Sequence, residues 1–122
     1  MTGRQKLAAE EQRQELFAAA TWRCVVCGDP LAVHGTAQLA HRVPKTQAFL
    51  RTWGPEVIHS ALNLVPVCSL ACNSSVSLGI VGSAGKALLE RIVRIQTGRE
   101  SMPDMREFYQ ELRAEFRERR EL

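Results

Sequence analysis

Apolar residues recur at helical spacing in the last third of the chain. A stripe with spacings of three and four predicts a helix over about residues 86–96, and Gly98 follows it at the position of a C-cap. A last helix is predicted after Ser101, because Pro103 and Asp104 are typical of a helix start. Its apolar positions are Met105, Phe108, Tyr109, Leu112 and Phe116. We expect this stripe to pack on the same domain or on a second copy of it, so the chain is a monomer or a homodimer.

The first twenty residues have a looser apolar pattern. Thr2 is a candidate N-cap for a helix over about residues 3–20. The segment is charged throughout and has no apolar run of the kind found in signal peptides. No part of the chain approaches the roughly 20 apolar residues of a membrane span. We therefore expect a cytoplasmic protein with no membrane partner. The apolar stripe of this helix is Leu7, Ala8, Leu16 and Phe17.

Shorter apolar runs in the middle of the chain predict strands. Residues 36–43 are interpreted as one strand that ends before Pro44, and residues 64–67 as a second. Between them, residues 45–60 are predicted to form a long loop with one helical turn. A short helix is predicted from Ser69 onward. The fold class is therefore α+β.

The domain organisation follows from this order of elements. At 122 residues the chain is expected to form one domain over 1–122. Residues 1–21 supply an N-terminal helix, residues 22–80 a core with two strands and a helix, and residues 81–122 the C-terminal helices.

Four cysteines lie in two close pairs. Cys24 and Cys27 form a C-x2-C pair, and Cys68 and Cys72 form a C-x3-C pair about forty residues later. In a reducing compartment such paired thiols indicate metal binding more than disulfides. Four thiolates make a closed tetrahedral zinc site, and zinc binding adds folding free energy to a small core. The alternatives are free buried thiols or two disulfides.

The net charge of +3 is compatible with a nucleic-acid partner. Arg42 and Lys45 follow His41 closely in the sequence and are candidate contacts for phosphates. The arginines of the last helix alternate with glutamates, which favours a solvated, ion-paired face.

The interval between the cysteine pairs contains a His-x-x-Pro sequence at His41, then Asn63, then Asn73 directly after Cys72. In this order, framed by two cysteine pairs, residues 22–77 resemble the HNH endonuclease family. The resemblance implies a ββα-metal fold with a zinc knuckle. It also implies a metal-dependent nuclease that hydrolyses phosphodiester bonds in DNA, with RNA as a possible substrate.

The same resemblance implies roles for individual residues. His41 would be the general base that activates water, Asn63 would stiffen the loop and orient His41, and Asn73 would bind a catalytic Mg²⁺ or Mn²⁺. His59 and Gln38 are candidates to assist in binding this cation. Each residue also has a structural alternative: a core hydrogen bond for His41, a turn for Asn63, a helix cap for Asn73, and a surface position for His59.

One position departs from the family pattern. Ala40 stands where many members have a metal ligand directly before the base histidine. This substitution favours the alternative function, a catalytically inactive zinc-knuckle module that binds nucleic acid or a protein partner.

Overall fold

The structure is a computed structural model that describes residues 3–31, 35–79 and 82–121. Its elements follow the α+β order expected from the sequence. In chain order they are α1 (Gly3–Ala19), β1 (Gln38–His41), α2 (Gln47–Trp53), α3 (Pro55–Ile58), a 3-10 turn (Ala61–Asn63), β2 (Leu64–Val67), α4 (Leu70–Val76), α5 (Ser83–Gln96) and α6 (Met105–Glu121). The predicted cap Thr2 lies outside the described residues.

The two strands form an antiparallel pair. Gln38 lies opposite Val67, and His41 lies opposite Leu64. The first strand is shorter than the predicted range of 36–43. After His41, the Arg42 N–H still bonds to the carbonyl of Asn63 opposite it, but the Val43 N–H bonds to the side chain of Asn63, and the ladder ends there. The helix α4 follows β2 directly, so the core has the expected order of strand, strand and helix.

The prediction of a long loop over residues 45–60 was wrong. This segment contains α2 and α3. The side chain of Thr46 caps α2 by accepting a hydrogen bond from the Phe49 N–H at 3.2 Å. Gly54, with φ of 88°, ends α2, and Pro55 occupies the first turn of α3. The turn signal therefore marks a junction between two short helices.

Helix α1 buries its C-terminal half and exposes its N-terminal half. Leu16 and Phe17 are buried, whereas Leu7 is 62% exposed. The predicted stripe was therefore wrong for Leu7 and for Ala8, which is also exposed. The helix ends in a Schellman arrangement, in which the Trp22 N–H bonds to the Phe17 carbonyl and the Thr21 N–H bonds to the Ala18 carbonyl.

Glycine is the usual residue at the turn of such a motif, but here the turn has two other residues. Thr21 and Trp22 have φ of 57° and 56°, in the left-handed region that costs β-branched and bulky residues free energy. The edge of the Trp22 ring packs on Phe17, with centroids 5.7 Å apart. This contact supports the turn that leads the chain into Cys24.

Helix α5 packs on α3 and on the 3-10 turn, helix α6 packs on α1, and both apolar stripes face the core as predicted. Gly85 in α5 is buried, and a side chain built on it would meet Val43 at 3.6 Å. Tyr109 of α6 is fully buried and donates its hydroxyl hydrogen to the Leu64 carbonyl at 2.8 Å. This bond fixes α6 to the start of β2. The buried residues of the two stripes are Leu88, Leu89, Ile92, Phe108, Tyr109, Leu112 and Phe116.

Candidate functional site

The four cysteine sulfurs lie together, and their separations fit one tetrahedral metal ion. All four sulfurs are within 4.8 Å of one another. The Sγ atoms of Cys27 and Cys68 are 3.5 Å apart, and those of Cys68 and Cys72 are 3.8 Å apart. Four sulfurs at about 2.3 Å from a zinc ion would be separated by about 3.8 Å. The thiols are free rather than joined in disulfides. The cluster of Cys24, Cys27, Cys68 and Cys72 could therefore hold a metal ion such as zinc.

A tight loop presents the first cysteine pair. The Cys24 N–H bonds to the Asp29 carbonyl at 2.8 Å, and the Gly28 N–H bonds to the Cys24 carbonyl at 2.9 Å. Gly28 has φ of 83°, which a glycine adopts without strain. The Val25 N–H donates to the Pro66 carbonyl at 3.0 Å. This last bond attaches the loop to β2, and so to the second cysteine pair.

The second pair comes from the junction of β2 and α4. Cys68 directly follows β2, and Cys72 lies in the first turn of α4. Ser69 caps this helix, because its hydroxyl oxygen accepts a hydrogen bond from the Cys72 N–H at 3.3 Å. The cap fixes the turn that brings the two sulfurs together.

Backbone N–H groups stabilise the thiolate of Cys24. Burial raises the pKa of this thiol, but hydrogen bonds from the backbone of Cys27, Cys68 and Val26 outweigh burial and lower the pKa overall. Burial raises the pKa of Cys27 and of Cys72. Because metals bind the thiolate, an ion would have to displace the protons of these two thiols.

Arg113 of α6 brings a positive charge close to the cysteine cluster. Its Nη2 donates to the Ala20 carbonyl at 3.0 Å and approaches the Arg23 carbonyl at 3.4 Å, next to Cys24. The charge of Cys24 interacts favourably with that of Arg113. The buried Nε of Arg113 has no hydrogen-bond partner among the described residues. A zinc ion with four thiolates carries a net charge of −2, so this guanidinium is suited to offset it.

The structure brings His41 and His59 into direct contact. His41 ends β1, and His59 follows α3. The Nε2 atom of His41 lies 3.0 Å from the Nδ1 atom of His59, and the rings meet at 74°. His41 is half-buried. Burial lowers its pKa to about 4, and the charges of His59 and Lys45 contribute in the same direction. The ring of His41 is therefore neutral at neutral pH.

Asn63 is fully buried and holds the segments that carry both histidines. Its Oδ1 accepts a hydrogen bond from the Val43 N–H at 2.7 Å, and its Nδ2 donates to the Val43 carbonyl at 3.1 Å. The same Nδ2 donates to the Ile58 carbonyl at 2.8 Å. Val43 lies two residues after His41, and Ile58 lies directly before His59. The side-chain amide of Asn63 thus fixes the backbone next to both His41 and His59.

Asn73 lies on α4 and faces β1. Its Nδ2 donates a hydrogen bond to Oε1 of Gln38. Because this bond uses the amide nitrogen, it does not occupy the side-chain oxygen of Asn73, which is the atom that binds hard cations. Ala40 of β1 is fully buried in the core.

Two open grooves meet at His41. The histidine groove, of about 520 Å³, is lined by His41 and His59 with Lys6 and Glu10 of α1. The asparagine groove, of about 570 Å³, is lined by His41 and Asn73 with Gln38 and Lys45. Arg13 of α1 lines both grooves and bonds to the Ala37 carbonyl at 2.9 Å. His59 and Asn73 therefore belong to different grooves, with His41 shared between them.

The two candidate phosphate contacts differ in their surroundings. Lys45 is exposed beside His41 and Asn73. Arg42 is only partly exposed, and its charged neighbours are Glu115 and Arg119 of α6. Burial lowers the pKa of Arg42, and the charge of Glu115 opposes that change. Lys45 thus has direct access to the groove, whereas Arg42 faces the C-terminal helix.

Two residues at these sites were not assigned from the sequence. Arg13 and Arg113 have no motif of their own, and both lie outside the interval between the cysteine pairs. They reach the sites only because α1 packs on β2 and α6 packs on α1. No sequence signal could have assigned them without the fold.

No family model, curated protein or solved structure matches this chain. Within the described ranges, no helix is both long enough and apolar enough to cross a membrane.

Proposed function

We propose that this protein is a metal-dependent endonuclease of HNH type that hydrolyses phosphodiester bonds in DNA. One observation carries the proposal: His41 and Asn73 line one open groove beside a four-cysteine cluster, and the buried Asn63 holds the loop after His41. This arrangement supports the roles proposed for the three residues.

His41 would act as the general base. A base must be neutral to accept a proton, and the low pKa of His41 keeps it neutral from about pH 5 upward. In the tautomer in which Nε2 of His41 donates its hydrogen to His59, Nδ1 is the nitrogen that accepts a proton from water. The phosphate of a bound substrate would raise the pKa of His41 and make it a stronger base.

Asn73 would bind the catalytic cation through its side-chain oxygen. Mg²⁺ or Mn²⁺ keeps several waters and takes ligands from substrate phosphates, so one protein ligand can suffice when the substrate is bound. The ion would neutralise charge that develops on the phosphate and on the leaving oxygen. Lys45, exposed beside the groove, is suited to contact a flanking phosphate.

Cleavage of supercoiled plasmid DNA tests this proposal. The zinc-loaded protein should nick the plasmid with Mg²⁺ or Mn²⁺ and not with EDTA, and His41→Ala should lower the rate at least a hundredfold. His34→Ala is the matched control, because it removes the third histidine of the chain. Zinc content is measured for each variant, so that loss of the metal cluster is not mistaken for loss of the base. Equal rates for His41→Ala and the parent would refute the role of His41.

A second candidate function is a catalytically inactive zinc module that binds nucleic acid or a protein partner. The buried Ala40 favours it, because this side chain offers no ligand where many HNH nucleases have one. This function predicts DNA binding that weakens steeply with salt, and no nicking with any divalent ion. The same plasmid assay, run beside a binding titration, separates the two functions.

A further inference from the structure

Trp22 presents an indole ring to solvent at the turn that follows α1. The side chain is 43% exposed. Its ring meets Phe17 edge to face, at an interplanar angle of 76° and with centroids 5.7 Å apart. In either orientation of such a contact, at least one face of the indole is left uncovered by Phe17. An aromatic face that is open to solvent can stack on a nucleobase.

The backbone holds Trp22 in a conformation that costs free energy. Thr21 and Trp22 both have positive φ, at 57° and 56°. The Trp22 N–H bonds to the Phe17 carbonyl, and the Trp22 carbonyl accepts a hydrogen bond from the Leu31 N–H, both at 2.9 Å. Backbone strain that neighbouring contacts enforce is common where a protein clamps a ligand. Here the strained turn fixes the point from which an exposed aromatic ring projects.

A groove of about 330 Å³ lies beside Trp22 and adjoins the two grooves at His41. This tryptophan groove is lined by Trp22, Phe17, Arg13 and Ala37. Arg13 also lines the histidine groove and the asparagine groove, so all three grooves share one side chain. From Ala37 to His41 an extended chain rises by about 13 Å. At 3.4 Å per nucleotide, this is the length of about four stacked nucleotides.

Positively charged side chains line this path. Arg13 lies where the three grooves meet, and the bond to the Ala37 carbonyl uses one of the five N–H groups of its guanidinium. Lys6 lines the histidine groove, and Lys45 lines the asparagine groove. Glu10 lines two of the grooves, and its carboxylate accepts a hydrogen bond from the Gln14 side chain at 2.9 Å. The balance of charge along the path suits a phosphate backbone.

We propose that Trp22 is a stacking subsite for a base of single-stranded DNA, about four nucleotides from the phosphate at His41. Arg13 contacts the phosphates between the two places. A base that stacks on the indole has left its partner strand, so the substrate is single-stranded or locally unpaired DNA. The inference rests on the proposed function for the place of the scissile phosphate, whereas stacking on Trp22 does not require cleavage.

Tryptophan fluorescence tests the subsite. Trp53→Phe leaves Trp22 as the sole tryptophan of the chain. In the zinc-saturated variant, a short oligothymidylate at low salt should quench this emission, and a duplex of the same length should quench it much less. Unchanged emission at saturation with the oligothymidylate would overturn the subsite. Equal quenching by the duplex would also overturn it, because no base has then left its partner.

Affinity for a labelled oligothymidylate, measured by fluorescence anisotropy, tests the same contact by substitution. Trp22→Leu should weaken binding by about fivefold or more, the effect of losing one stacked base. Trp22→Phe keeps an aromatic face and should retain most of the affinity, and Trp53→Phe is the matched control and should change it less than twofold. Zinc content is measured for each variant. Equal affinities in the parent and Trp22→Leu would overturn the subsite.

A cleavage assay separates this inference from the proposed function. If oligothymidylate binds and quenches as expected but DNA is never nicked, the subsite stands and the nuclease fails. If the parent nicks DNA and Trp22→Leu binds the oligonucleotide as tightly as the parent, the nuclease stands and the subsite fails. If both hold, Trp22→Leu should raise the KM for single-stranded DNA about fivefold or more and change kcat less than twofold. An unchanged KM would overturn the role of Trp22 in substrate binding.

Discussion

Replacing Asn63 with alanine tests whether one buried amide holds the histidine pair in place. The substitution removes three hydrogen bonds and leaves two carbonyls and one N–H without their partner in the core. An orphaned buried polar group costs about 1–3 kcal/mol, and water entering the small cavity recovers part of that. We therefore expect Asn63→Ala to lower the free energy of unfolding by about 3 kcal/mol, a large share of the stability of a domain this size.

Urea denaturation of the zinc-saturated protein measures this change. Asn73→Ala is the matched control: Asn73 is only half-buried and its side chain bonds to Gln38, so a loss below about 1 kcal/mol is expected. Asn63→Asp should cost at least as much as Asn63→Ala, because it places a carboxylate against the carbonyls of Val43 and Ile58. A loss below about 1 kcal/mol in Asn63→Ala would refute the reasoning.

Three further predictions concern the surroundings of the two sites. Arg113→Gln should increase the rate of zinc release to a chromogenic chelator several-fold. Arg117 is exposed one turn further along α6, so Arg117→Gln should leave this rate unchanged. Equal release rates in the two variants would show that Arg113 does not offset the thiolate charge. Thr21→Gly should increase the free energy of unfolding by up to about 1 kcal/mol, and so raise the melting temperature, because it removes a threonine from the left-handed region. A lower melting temperature would contradict the proposed strain. Since the folded pKa of His41 is below its unfolded value, the protein loses stability as pH falls from about 6.5 to 4. His41→Gln should flatten this part of the stability curve, and a curve parallel to the parent's would contradict the low pKa.

The cysteine cluster could be predicted from the sequence because its four residues lie in two local pairs. The spacings of Cys24 with Cys27 and of Cys68 with Cys72 each fit one turn, so only the meeting of the two pairs had to be inferred. The structure brings the four sulfurs to ligand distance. The stripes of α5 and α6 could also be predicted, since each repeats over two turns or more.

The rest depends on contacts between distant parts of the chain. Residues 45–60 were interpreted as a loop because Trp53-Gly54-Pro55 is a turn signal. The structure has a helix before this turn, and the side chain of Thr46 caps it. Leu7 fits the apolar stripe of α1 and still faces solvent, because the core ends near Leu16. His59 was a weak candidate in the sequence, and only the path of the chain after α3 brings its ring to His41.

The short strand β2 connects the cysteine cluster with the residues that position the histidine pair. Asn63 precedes it and Cys68 follows it, and its four buried residues span only about 13 Å. Its Pro66 carbonyl holds the first cysteine loop, and its Leu64 carbonyl holds Tyr109. Oxidation of the thiols would therefore shift the other end of the same strand, and with it the backbone that positions the rings of His41 and His59.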